Sequence, residues 1–149
     1  MRTINNLLQA AVKVDLPFLL ENSLIETAPV YVELQREQMF SGIQSDGKEI
    51  QRIGAKYKGY ATSTIKIKEK KGQPTDRITL KDTGSFYADT FADARAEGII
   101  SDSADEKSAK LQEDYGSKIF GLADPSKQAY INKVRPEFIR QTTDQLNKK

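Results

Sequence analysis

The chain has 149 residues, 38% of them hydrophobic and 30% charged, with a net charge of +2 and neither cysteine nor histidine. These figures point to one polar domain (1–149) large enough to bury a core. They exclude disulfides, thiolate and imidazole metal sites, and Ser-His or Cys-His catalysis, leaving carboxylates, lysines, tyrosines and hydroxyls for any chemistry. No apolar run reaches the roughly 18 residues of a membrane span. The opening "MRTINNLLQAAVKVDL" is interrupted by Asn5, Asn6, Gln9 and Lys13, so no signal-peptide core is expected and the reading is a cytoplasmic product.

In chain order, Ile4, Leu7, Leu8, Ala11 and Val12 recur at helical spacing and predict an amphipathic N-terminal helix. Pro17 interrupts it, and "FLLENSLIETA" reads as a second, more buried piece. Pro29 suits the first turn of a further helix carrying Val30, Tyr31, Leu34, Met39 and Phe40, with Gly42 as its end. Asp46-Gly47 is a turn signal.

From residue 44 to 80 the composition changes. Lys48 to Lys81 holds ten lysines and arginines against three acids, about +7 locally, so the remainder carries about −5. Within this stretch "TSTIKIKEK" alternates Ile65 and Ile67 with Lys66 and Lys68, the pattern of a short strand with one wet face. The expectation for 44–80 is an extended basic arm or hairpin, little packed in an isolated subunit. Beyond it, the alanines of "FYADTFADARAEGIISDS" favour a helix, whereas the Glu97-Gly98 pair and "GIIS" favour a hairpin of two strands, the reading preferred here. Ser103 and Glu106 form an S-x-x-E capping box ahead of a helix bearing Ala104, Leu111 and Tyr115 and ending at Gly116. Asp124-Pro125 opens a C-terminal helix with Tyr130, Ile131 and Val134; Pro136 kinks or restarts it before Phe138, Ile139 and Leu146. The predicted class is α+β: a small antiparallel sheet packed with N- and C-terminal helices, plus the long basic arm.

Two stretches imitate catalytic motifs. Asp82-Thr83-Gly84-Ser85 is the tetrapeptide of aspartic proteases, whose chemistry needs two aspartates sharing a proton; with one copy here, the second would have to come from a homodimer. Lys81 stands where those enzymes are apolar, and helical stripes at both termini disagree with an almost all-β enzyme. The favoured reading is a structural turn at Asp82, Thr83 and Gly84, in which Asp82 or Thr83 caps a short helical turn and Gly84 permits a tight backbone. "GIQSDGKE" (42–49) approaches a P-loop through Gly42, Gly47 and Lys48. Glu49, however, occupies the magnesium-ligating Ser/Thr position, and the motif follows a helix instead of a strand. No catalytic, cofactor or metal residues are assigned, and the chain is not expected to be an enzyme.

The interaction candidates are Lys56, Tyr57, Lys58, Tyr60, Lys66, Lys68, Lys70 and Lys71. Interleaved lysines and tyrosines suit phosphates and unpaired bases, so nucleic-acid binding is one reading. Another places the basic arm on the acidic face of a neighbouring subunit, a head-to-tail contact that closes rings.

The order of these pieces resembles the small tail-completion or virion-morphogenesis proteins of tailed bacteriophages. The pieces are a helix ending in "LQREQMFSGIQSDGKEI", the basic "YKGYATSTIKIKEKKGQPTD", then "ITLKDTGSFYADTF", the hairpin "TFADARAEGIISDSA" and "IFGLADPSKQAYI". The resemblance spans roughly Glu33 to Ile139, and it lacks a Pro-x-Arg-Phe-like stretch that many members carry near the end. It implies a virion structural protein at the neck of a phage or prophage: a head–tail connector, tail-completion or tail-terminator component. Such a protein works as a ring among other neck, connector or tail-tube proteins, with the D-T-G stretch as a junction between arm and hairpin.

Overall fold

The computed structural model describes residues 3–148. The fold is α+β. Its elements are α1 (Ile4–Val12), α2 (Leu16–Phe40), α3 (Thr62–Lys70), α4 (Ser85–Ala88), β1 (Thr90–Arg95), β2 (Gly98–Ser103), α5 (Ser108–Tyr115), a 3-10 turn (Ser117–Ile119) and α6 (Asp124–Asn147). No helix among the described residues is long and apolar enough to cross a membrane.

Helix α1 starts on a Thr3 cap, whose hydroxyl accepts from the Asn6 N–H at 3.3 Å. The predicted stripe is present, but it buries no residue: Ile4, Leu8 and Val12 stand in the open. Helix α2 is capped by Asp15, which accepts from the Phe18 N–H at 3.1 Å, with Pro17 in its first turn. Pro29 does not begin a new helix, as its sequence suggests; it lies inside one continuous α2. The ring removes the donor for the Ile25 carbonyl. Ile25 is solvent-exposed, so water can serve that carbonyl, while buried Leu24 and Tyr31 anchor the helix on either side. Pro136 is likewise internal to α6, beside exposed turns.

The core has two parts. Met39, Ile50, Ile78, Leu80, Phe86, Ile119 and Phe120 form the first, under the end of α2. Leu24, Tyr31, Leu122, Tyr130 and Val134 form the second, where α2 packs on α6. There the Tyr31 and Tyr130 rings meet edge-to-face at 5.2 Å, and the Tyr130 hydroxyl shares a 2.9 Å hydrogen bond with Thr27. The segment Ile119–Ala123 joins the two parts and is held by two buried glutamines one turn apart on α2. Gln35 donates to the Ile119 carbonyl and accepts from the Gly121 N–H and the Ser101 hydroxyl. Gln38 donates to the Gly121 carbonyl and accepts from the Ala123 N–H. Two side-chain amides thus do for this segment what a neighbouring strand would do. Gly121, at φ +97°, makes the bend between them.

The hairpin forms as its sequence predicts, with Thr90 opposite Ser103 and Arg95 opposite Gly98. The register puts the two-residue turn at Ala96-Glu97, one position earlier than the Glu97-Gly98 signal. Thr90, Ala92 and Ala94 face inward against α2, while Phe91, Asp93 and Arg95 face out.

Three local expectations are corrected. "TSTIKIKEK" is helix α3, not a strand. Its inward positions are Thr64, Ile65 and Lys68, spaced for a helix, and the buried member is a lysine that the apolar alternation ignores. The stretch 44–80 is therefore loops around a helix, not a hairpin, and its two ends are packed through Ile50, Ile78 and Leu80. Ser103 does not cap α5: it ends β2, donating to the Phe86 carbonyl at 2.9 Å, and α5 begins only at Ser108 behind Lys107. At α6, Asp124 is the first helical residue and Ala123 the cap.

Candidate interaction surface

The D-T-G stretch and the basic segment meet around α3. Thr79, wholly buried, is the hub: its N–H donates to the Tyr60 hydroxyl at 2.8 Å, and its carbonyl accepts from the Tyr87 hydroxyl. Burial raises the Tyr87 hydroxyl well above its ordinary range, so it stays a donor. Next along the chain, Leu80 takes a left-handed backbone (φ +58°), uncommon for a residue with a side chain, and inserts into the core. The Lys68 ammonium pins the following turn, donating to the Lys81 carbonyl at 2.6 Å and to Gln73 Oε1 at 3.2 Å while lying 4.7 Å over the Tyr60 ring. Tyr60 and Lys68 are thus committed inside their own subunit.

Asp82 lies at the end of this turn between two ammonium groups, Lys71 and Lys107. The Lys71 hydrogen bond, followed by the charges of Lys71 and Lys107, holds its carboxyl below the ordinary carboxylate range. An aspartic dyad needs the opposite environment, in which one carboxyl keeps a proton. The Thr83 hydroxyl accepts from the Ser85 N–H at 3.4 Å, and Gly84, at φ +99°, leads into α4. The Asp46-Gly47 turn of the P-loop-like stretch is closed by its own carboxylate, with Asp46 accepting from the Lys48 N–H and the Gln44 amide. Among the described residues no group of three or more acidic side chains is placed to hold a metal ion.

The eight candidates therefore separate. Tyr60 and Lys68 are structural, and Lys71 is paired with Asp82. Lys56, Tyr57, Lys58, Lys66 and Lys70 remain on the surface, with the Tyr57 ring 84% exposed. Of these, Lys58 reaches Glu49 at 3.8 Å between two solvated ends, a contact worth little. Lys66 and Lys70 lie one turn apart on the outer side of α3. Beside Tyr57 a cleft of about 720 Å³ is lined by Arg52, Ile53, Lys56, Tyr57, Thr62 and Tyr115, among others. Arg52 and Ile53 belong to this surface although the sequence did not single them out. Their signal was position: both open the glycine-punctuated run from 52 to 59.

Compared with protein-family models, with curated proteins and with solved structures, the chain matches none.

Proposed function

We propose that this chain is a phage or prophage virion structural protein that completes or joins the tail at the head–tail interface, working as a ring. The observation that carries the reading is the surface from Arg52 to Lys70. There Lys56, Tyr57, Lys66 and Lys70 are presented to solvent, and among the described residues none of these three lysines is paired with a carboxylate. In the assembled ring this surface meets the acidic remainder of a neighbouring subunit or an adjoining neck protein. The order of helix, Asp-Gly turn, basic segment, D-T-G junction and hairpin agrees with the resemblance noted in the sequence. Mass spectrometry of digested virions, with cross-linking across Lys56–Lys71, tests it. Cross-links from these lysines to a second copy or a neck protein support the ring. Absence of the chain from finished particles overturns it.

A second reading rests on the cleft beside Tyr57, where an exposed ring flanked by Arg52 and Lys56 would suit a single-stranded nucleic acid. It predicts oligonucleotide binding that weakens steeply with salt, and salt-independent or absent binding removes it.

A further inference from the structure

Strand β1 has one partner and one open side. The Ala104 N–H donates to the Asp89 carbonyl one step beyond the ladder, which fixes the hydrogen-bonding phase. In this register Phe91, Asp93 and Arg95 exchange bonds with β2, so the N–H and C=O groups of Ala92 and Ala94 point away from it. Among the described residues no main-chain group bonds to them. Alongside runs a groove of about 760 Å³ whose other wall is α2, through Ile25, Ala28, Pro29 and Val32. Because Pro29 has no N–H, the Ile25 carbonyl in that wall also lacks its helical donor. An open edge beside an apolar groove is the geometry of strand addition, and a lone two-stranded sheet gains stability from a third strand.

We propose that this groove receives the segment Ile53–Lys58 of a second copy of the chain, laid along β1 as a third strand. The proposal rests on the ring assembly above and names its contact. Extended, the segment alternates Ile53, Ala55 and Tyr57 on one side with Gly54, Lys56 and Lys58 on the other. Ile53 and Tyr57 are 65% and 84% exposed, uncovered by their own subunit. The groove floor is built of small side chains (Ala28, Ala92, Ala94), leaving room for large ones. At its rim Glu33 and Asp93 already meet arginines of their own subunit, Arg36 at 3.8 Å and Arg95 at 2.9 Å, so Lys56 and Lys58 would share these carboxylates on docking. Arg36 holds Glu33 loosely, its stronger bonds going to the Tyr87 and Ala88 carbonyls at 2.7 and 3.0 Å. In the free subunit the segment is folded into turns, with the Ala55 N–H on the Arg52 carbonyl, and it straightens on docking. It rests against α5 through the Ile53 N–H and Asp114 carbonyl, whereas the groove belongs to α2 and β1. Two different surfaces of one chain therefore meet, the head-to-tail contact from which rings are made.

The test is a fluorescent peptide of residues 51–60 titrated into the full chain at low salt and followed by anisotropy. Saturable binding is expected. It weakens about tenfold with Ala92→Pro in the protein, which deletes one outward N–H and spares the ladder, and by a similar factor with Tyr57→Ser in the peptide. The peptide substitution has no fold to lose and carries the test if the proline variant unfolds. No saturable binding, or binding that both changes leave intact, overturns the proposal. Sedimentation of the full chain separates the two readings: oligomers without peptide binding remove this contact and leave the ring. Peptide binding by a chain absent from virions leaves the contact and removes the ring.

Discussion

Replacing Gln35 by leucine keeps the volume of a fully buried side chain and deletes its polar end. The Ile119 carbonyl then loses its donor at 3.1 Å, the Ser101 hydroxyl loses its acceptor at 3.1 Å, and the Gly121 N–H keeps only its longer contact to Ser101 at 3.2 Å. Each orphaned buried group costs about 1–3 kcal/mol, so the substitution should remove about 3–5 kcal/mol from a stability typically of about 5–15 kcal/mol. For a chain of this size that is a fall in Tm of roughly 10–15 °C. Urea unfolding is the assay, with a lower midpoint at an unchanged slope. Gln35→Glu refines the test, because it keeps both accepted bonds and loses only the donated one. Burial raises that new carboxyl above its unfolded value of about 4.3, and the protonated form can donate to Ile119. This carboxyl's contribution is therefore fully present below about pH 4.3 and is lost as the pH rises through the folded-state value, so the gap between the variant and the unaltered chain widens with pH. A leucine variant within about 1 kcal/mol of the unaltered chain would refute the view that this amide holds the 119–123 segment.

Gly121→Ala meets two obstacles, a backbone at φ +97° and a Cβ placed 3.1 Å from that of Ser45, and should cost about 2 kcal/mol in urea unfolding. Gly84→Ala, at φ +99° with open space around it, should cost only about 1 kcal/mol in the same assay. Lys68→Met keeps the buried stem but strands the Lys81 carbonyl and should lose about 1–3 kcal/mol, whereas Lys66→Met on the exposed side should change stability by less than about 0.5 kcal/mol. Equal effects at the two positions would mean that Lys68 is not pinning the turn. The Asp46 carboxyl is pulled from its ordinary 3.8 to about 2, chiefly by the Lys48 N–H and then the Gln44 amide. A depressed carboxyl stabilises the fold above its unfolded value and ceases to as the pH falls from about 4 to about 2. Asp46→Asn should therefore differ from the unaltered chain most at neutral pH and converge with it in that window, read from urea midpoints.

The legible parts of the fold were those whose signal is local. The hairpin showed in Glu97-Gly98 and "GIIS" against alanines that favour helix, α6 in Asp124-Pro125, and the end of α2 in Gly42, because turn and cap chemistry is decided by neighbours in sequence. The illegible parts were set by distant partners. Pro29 looks like a boundary until Leu24 and Tyr31 are seen packed on α6 from both sides of it, holding one helix across the gap. Ile65 and Ile67 alternate like a strand, but the residue that decides the matter is Lys68, whose stem is buried and whose ammonium finds the Lys81 carbonyl. Of the interaction surface, Lys56, Tyr57, Lys58, Lys66 and Lys70 were readable as solvated positions. The inward turn of Tyr60 and Lys68 was not, since nothing in "KYKGY" or "IKIKEK" names Thr79 or Lys81 as a partner.

The same polar economy explains how a chain with 38% hydrophobic residues holds two separate apolar clusters together. Ile119 and Phe120 belong to one and Leu122 to the other, so the bend at Gly121 must cross between them with its main-chain groups buried. Hydrophobic contact alone would leave those groups without partners, and their desolvation would oppose the packing on either side. Gln35 and Gln38 remove that opposition from a single face of α2, and Ser101 extends the network to β2. The hairpin, α2 and the 119–123 segment are thereby fixed relative to one another, and with them the spacing between α2 and the open edge of β1. A groove whose walls are set by buried hydrogen bonds is already shaped before anything enters it. A strand docking there would pay for straightening its own turns but not for reshaping its receptor.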